Sequence, residues 1–132
     1  MDISNLLKKD NIIAVLGASE NREKYGYKIF VQLIKEGFET YPINLNSKKI
    51  YGRECYPNLQ SLPKTPDLLI TVVPPKITEK IIPIAKNLNI KHIWMQPGSE
   101  SEIALELCKK YKLDCIYNLC YIKDGLKIEF KL

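Results

Sequence analysis

The sequence is short of the residues that most active and metal sites need. It has 132 residues with a single histidine, His92, and its four cysteines include no Cys-x-x-Cys pair. A structural zinc site built from closely spaced ligand pairs is therefore disfavoured. Long apolar runs are missing too: no stretch approaches the ~20 residues of a membrane span, and the opening "MDISNLLKKDN" has no apolar signal core. A soluble, cytoplasmic protein without a membrane partner is expected. There is no internal repeat, low-complexity tract or linker, and no RNP-like or helix-turn-helix signature, which argues against nucleic acid as a partner.

What is present suits one globular domain over residues 1–132. Hydrophobic residues make up 45% and charged residues 27%, enough to bury a core at this length. The net charge of +5 is spread among acidic neighbours, as in "KKYKLD", and reads as a solvated surface with room for a local cationic pocket. The cysteines Cys55, Cys108, Cys115 and Cys120 are expected to be reduced. Cys108 and Cys115 occupy apolar positions of a predicted helix and strand, where free thiols are commonly buried.

Short apolar runs alternate with helical periodicity. After a predicted helix at 3–8, "NIIAVLG" (11–17) is an apolar strand ending in glycine, and Ile29, Phe30, Leu33 and Ile34 then recur at helical spacing until Gly37. "FETYPIN" (38–44) resumes an extended pattern. The turn-rich segment 45–66 predicts at most a helical turn near 58–61. "DLLITVV" (67–73) is a third strand stopped by Pro74 and Pro75, followed by a helix with Ile77, Ile81, Ile82, Ala85 and Leu88 on one face and a kink or break expected at Pro83. "KHIWMQ" (91–96) is a fourth strand. Ser99 or Ser101 then caps a helix whose apolar face is Ile103, Ala104, Leu107, Cys108 and Tyr111, and "DCIYNL" (114–119) is a fifth strand.

This alternation predicts an α/β, Rossmann-like, doubly wound and mainly parallel five-stranded sheet with helices on both faces and a core over 11–120. The tail 121–132 is open: Asp124-Gly125 suggests a turn or hairpin, and Ile122, Leu126, Ile128 and Phe130 could extend the sheet or meet another subunit.

Such sheets bind ligands beyond the carboxyl ends of their strands, where strand order reverses. That selects 17–26, 44–49, 73–76, 96–99 and 118–120. Gly17 permits a tight turn, Ala18 and Ser19 are small, and the following helix start can cradle an anion with Arg22 and Lys24 nearby. Gly17-x-Ser19-x-x-Arg22 lacks the second and third glycines of the dinucleotide fingerprint. The second strand ends at Asn44 and Asn46, where NAD enzymes usually offer a carboxylate to the ribose. Lys48 and Lys49 there favour a phosphorylated ribose. His92, at a strand start with no nucleophile at readable spacing, is read as structural or exposed.

The ordered motifs "GASENREKYGYK", "YPIN", "GRECYPNLQSLP", "PDLLITVVPP", "WMQPGSES" and "NLC" resemble, over about 12–120, the small CoA-binding-domain proteins, similar to the N-terminal domain of the succinyl-CoA synthetase alpha subunit. The resemblance implies a Rossmann-like domain for coenzyme A. Gly17, Ala18 and Ser19, with Lys24 and Tyr25, would hold the pyrophosphate, and Asn44, Asn46 and Lys48 would lie at the adenosine end. Val73, Pro74 and Pro75 would wall the adenine and pantetheine path, and Gln96, Pro97 and Gly98 would line the pantetheine arm. The family often has proline then lysine where Leu45 and Asn46 stand here, a departure that bears on any 3′-phosphate contact by Lys48 or Lys49. Cys120 follows the last strand at the edge where a CoA thiol would approach; it is either a small buried residue or a thiol open to mixed-disulfide formation.

Three functions are open at this stage. A non-catalytic module for coenzyme A or acyl-CoA, acting as carrier or sensor, is favoured. A CoA-ligase component would need a partner subunit, because succinyl-CoA synthetase-like chemistry uses a phosphohistidine from a further domain. An NAD(P)-binding domain, of which the NADP form is the version kept as an alternative, is disfavoured by the missing glycines and, for NAD, by the missing acidic residue. Self-association is left open.

Overall fold

Ile13, Ala14 and Val15 are wholly buried on consecutive positions, so the strand they form, β1 (Ile12–Leu16), must be covered on both faces. In the computed structural model, which describes residues 2–132, it lies inside a five-stranded sheet. The other strands are β2 (Glu39–Ile43), β5 (Leu68–Thr71), β6 (His92–Met95) and β7 (Asp114–Ile116). Two short strands, β3 (Lys49–Ile50) and β4 (Arg53–Glu54), form a separate antiparallel hairpin. The sheet order is β2-β1-β5-β6-β7, with every neighbour parallel. Strand order reverses between β1 and β5.

Helix α1 (Tyr25–Lys35) covers one face, placing Ile29, Phe30 and Leu33 against Ile13, Val15, Leu68 and Ile70. Helices α2 (Pro75–Asn87) and α3 (Glu102–Tyr111) cover the other, with Ile82, Ala85, Ala104 and Cys108 against Ala14, Leu69, Ile93 and Met95. The strand period of two sends Ile13 and Val15 to one core and Ala14 to the other. This is the expected Rossmann-like α/β architecture.

Several local expectations are corrected. Pro83 does not break α2, because Ile82 and Ala85 on either side are buried against the sheet and hold the helix through the missing hydrogen bond. The predicted helix at 3–8 is a 3-10 turn, Ser4–Leu7. Ser101, rather than Ser99, caps α3, its Oγ accepting the Ala104 N–H at 3.0 Å. Ile103 is 60% exposed, while its neighbour Ala104 is buried against the sheet, so the apolar face of α3 does not include Ile103. The 45–66 segment carries the β3–β4 hairpin as well as the expected turn, Leu59–Ser61. Beyond the hairpin, Tyr56 N–H donates to the Pro42 carbonyl and Asn44 N–H to the Tyr56 carbonyl, both at 3.0 Å, which screens the outer edge of β2.

The tail neither extends the sheet nor forms a hairpin. Tyr121–Gly125 coils into a π-type turn, with Tyr121 buried edge-on against Trp94 and its hydroxyl donating to the Leu6 carbonyl at 2.6 Å. Leu126, Ile128 and Phe130 then pack on the α1 side. Lys131 N–H donates to Gln32 Oε1 at 2.7 Å, and Lys35 Nζ to the Lys131 carbonyl at 2.8 Å. The tail thus fills the place beside α1 that a second helix would take.

The expectation of reduced thiols fails for one pair: Cys108 and Cys115 are disulfide-bonded. Lys112, in the left-handed conformation with φ 57°, turns the chain back after α3 and brings the two Cα atoms to 6.4 Å, within bridging range. Cys55 and Cys120 are free and buried.

Candidate functional site

All five strands of the sheet point the same way, so the loops after them share one edge. At its centre Gly17 leaves β1 with φ +95°, its N–H donating to the Ile43 carbonyl at 3.1 Å. A Cβ there would lie 2.2 Å from the Val72 carbonyl oxygen, so no other residue fits without moving the end of β5. From inside α1, Gly26 meets the same turn: its Cβ would lie 2.0 Å from the Gly17 carbonyl oxygen. The helix start is therefore laid directly on the Gly17–Ala18 backbone. Gly26 supplies the close helix–strand approach that the glycine count of the fingerprint had missed.

No side chain caps α1. Its first-turn N–H groups and positive dipole end face the carboxyl edge, the arrangement that receives a phosphate. Helix α2 offers one donor fewer: in both helices the third and fourth N–H groups turn back to the residue before the helix, Tyr27 and Lys28 to the Lys24 carbonyl at 3.1 and 3.3 Å and Ile77 and Thr78 to the Pro74 carbonyl at 2.9 and 3.4 Å, but Pro75 has no N–H where Tyr25 has one.

The loop between β1 and α1 is braced by short polar contacts. Ala18 is buried, and its carbonyl accepts Asn44 Nδ2 at 2.7 Å, while Asn44 Oδ1 accepts the Asn46 N–H at 2.8 Å. Ser19 Oγ accepts the Asn21 N–H at 3.0 Å, and the Asn21 carbonyl accepts the Lys24 N–H at 3.0 Å. Ser47 Oγ donates to Glu20 at 3.0 Å, tying this loop to the one after β2. Gly17, Ala18, Ser19, Lys24, Tyr25 and Asn44 thus converge at one corner. The Asn44 amide is spent on positioning the turn, while Lys24, Asn46 and Lys48 are exposed there.

The remaining candidates line the ends of β5, β6 and β7. Val73 is half-buried against Gly17, its Cγ1 2.7 Å from where a Gly17 Cβ would be. Pro74 precedes α2 and Pro75 begins it. Gln96 is buried after β6; its N–H donates to the Thr71 carbonyl at 3.0 Å, its Oε1 accepts the Tyr121 N–H at 2.7 Å, and its Nε2 has no partner. Pro97 and Gly98 are exposed, with the Gly98 N–H held by Glu100 at 2.7 Å. The buried Ser99 hydroxyl pins this turn to the Thr71 carbonyl at 3.1 Å and the Gln96 carbonyl at 2.7 Å, a role the sequence pattern did not reveal.

Cys120 closes the arc. Its Sγ lies 3.3 Å from the Tyr25 hydroxyl, and its N–H donates to Asp124 Oδ2 at 2.7 Å. Burial, then the Cys120 contact, pushes the Tyr25 hydroxyl well above its ordinary pKa, so it stays neutral. His92 is at the opposite, amino-terminal edge, with Nδ1 3.3 Å from Asp114 Oδ2. A cleft on that edge is lined by Asn5, Asn11, Asp67 and His92, and Asp67 there is engaged by the Ile12 N–H at 2.7 Å. Among the described residues no cluster of three or more His, Cys, Asp or Glu could hold a metal, and no helix is long and apolar enough to cross a membrane.

A parallel sheet with a strand-order reversal, and an uncapped helix start resting on the turn beside it, defines a Rossmann-like domain. More narrowly, the chain belongs to the family described as CoA binding domain, which matches residues 11–125. It is 36% identical over 111 residues to the ADP-forming acetate–CoA ligase II of Archaeoglobus fulgidus, matching 75% of this chain and 16% of that protein. It is 35% identical over 71 residues to the alpha subunit of the ADP-forming acetate–CoA ligase II of Pyrococcus furiosus, covering 53% of this chain and 16% of the subunit. The chain thus spans about a sixth of the curated relatives' length.

Among solved structures, a conserved hypothetical protein from Pyrococcus furiosus is 37% identical with a TM-score of 0.80, over 83% of this chain and 95% of that one. The dinucleotide-forming acetyl-coenzyme A synthetase 1 of Ca. Korarchaeum cryptofilum, in complex with phosphate and ADP, is 25% identical with a TM-score of 0.72, over 92% of this chain and 28% of that one.

Proposed function

We propose that this chain binds coenzyme A along the carboxyl edge of its sheet, as a binding module. The observation that carries this reading is the approach of Gly26 to Gly17, which lays the uncapped start of α1 on the turn after β1. The pyrophosphate rests on the N–H groups of that helix start, with the Lys24 ammonium beside it. The adenosine end lies toward Asn46 and Lys48. The pantetheine arm runs past Val73, Pro74 and the Gln96–Gly98 turn toward Cys120. Backbone donors and a lysine suit the phosphates, and prolines with apolar walls suit the arm. Membership of the CoA binding domain family supports the choice of ligand over a nicotinamide dinucleotide.

Calorimetric titration of the ligand-stripped protein with CoA, dephospho-CoA, acetyl-CoA and NADP tests the reading. Binding of CoA in preference to NADP supports it; preference for NADP, or no binding, overturns it. A weaker response to dephospho-CoA assigns the 3′-phosphate to the lysines after β2.

A second reading makes the module one component of a CoA ligase completed by a partner chain. The similarity to a ligase alpha subunit favours it. It requires acyl-CoA formation from ATP, acetate and CoA when the remaining alpha-subunit domains, the phosphohistidine domain included, and a ligase beta chain are added, and is lost if none forms.

A further inference from the structure

The proposed path ends beneath an aromatic cap. Cys120 lies beyond the end of β7, and its sulfur meets the hydroxyl of Tyr25, the first residue of α1, so an arm that leaves the pyrophosphate at the α1 start passes the ends of β5 and β6 and turns back to reach it. The arm would therefore deliver its thiol beside Cys120. The space above that sulfur is taken by the Tyr25 ring, whose hydroxyl is 3.3 Å from it. Tyr25 is held in turn: the Phe130 ring meets it edge-on with centroids 5.4 Å apart.

Phe130 is itself fixed. The next residue, Lys131, donates its N–H to Gln32 on α1 and accepts from Lys35, while Lys123 lies with its Nζ 5.8 Å from the centre of the Phe130 ring. Below the cap the walls are closed, because Cys120 and Tyr121 are buried and Gln96 is engaged with the Tyr121 N–H. A thiol adds a single heavy atom at the end of such a path; a long acyl chain adds many and must push Tyr25, and with it Phe130, aside. Phe130 lies outside the 11–125 match, so the outer half of the cap comes from a segment the family pattern does not describe.

We infer that Tyr25 and Phe130 together are the specificity-determining cap of the CoA site, admitting free CoA and the shortest acyl-CoA thioesters and rejecting long-chain ones. The inference rests on the function proposed above and narrows its ligand. The cap works by exclusion: binding a long acyl chain costs the edge-to-face contact between the rings and the Tyr25–Cys120 contact, whereas free CoA leaves the rings in place.

The test is calorimetric titration with CoA, acetyl-CoA and octanoyl-CoA of the unaltered protein, of Phe130→Ala and of a chain lacking 129–132. The unaltered protein should bind CoA at least about tenfold more tightly than octanoyl-CoA, a difference of about 1.4 kcal/mol. In both variants the ratio should fall to within about threefold, chiefly through tighter octanoyl-CoA binding. Equal affinities in the unaltered protein, or a ratio that survives in both variants, overturn the cap while leaving CoA binding intact. Failure of all three ligands to bind the unaltered protein removes the functional reading and the cap together.

Discussion

The α-carbon hydrogen of Gly26 points at the Gly17 carbonyl so closely that a methyl group in its place would lie 2.0 Å from that oxygen. The contact joins helix start and strand turn into one unit. Gly26→Ala should destabilise the fold by about 1–3 kcal/mol, the range for forced overpacking, and weaken CoA binding because the first turn of α1 must lift. Thermal melting and titration on the same preparation check this; a variant with unchanged melting temperature and affinity would refute the close-approach argument.

Lys24 brings positive charge to the uncapped helix start, and its carbonyl accepts the first helical hydrogen bonds. Lys24→Ala should lower CoA affinity by about tenfold, the lower end for loss of a charge-assisted hydrogen bond, and leave the melting temperature nearly unchanged. The deficit should shrink as salt is raised, because the lysine is exposed and its attraction is screened.

Thiol counting separates the cysteines. Unfolded without reductant, the protein should offer two alkylatable thiols, Cys55 and Cys120, and after reduction all four. Reduction should lower stability by about 2–3 kcal/mol, as chain entropy predicts for a short closed loop. Cys108→Ser should reproduce the effect; four thiols without reductant would mean that the bridge does not form.

Burial pushes the Tyr121 hydroxyl above the ordinary value of 10.0, as it does that of Tyr25. Both groups are neutral in the folded and unfolded states below about pH 10. Above it the unfolded chain loses these protons first, so stability that is complete below pH 10 is lost as pH rises toward the folded values. Denaturant midpoints across pH 8–12 should show this fall, and Tyr121→Phe should make it shallower. Removing the hydroxyl also costs about 1 kcal/mol at neutral pH through the bond to the Leu6 carbonyl.

The five strands of the main sheet were readable because each is a short apolar run with punctuation after it, such as Gly17 after β1 and Pro74 after β5. The carboxyl-edge segments followed from the parallel alternation alone. Other features were hidden because they depend on tertiary placement. Gly26 looked like an ordinary helical glycine until the strand turn beneath it was known, and the bond from the Asn44 amide to the Ala18 carbonyl was not visible in the residue's place after β2. Strands of two residues, as in the β3–β4 hairpin, leave no period to read. The pairing of Cys108 with Cys115 depends on the left-handed Lys112, which no spacing rule announces. The tail carried apolar residues, but only the fold shows that they return to α1.

That return has a consequence for how the chain is made. Helix α1 is made before four of the five strands of the main sheet, yet part of its covering, through Gln32 and Lys35, is supplied by Lys131, 99 residues after Gln32. Until Lys131 has emerged from the ribosome, that side of α1 lacks this covering, so it is completed only after all five strands of the sheet have been made.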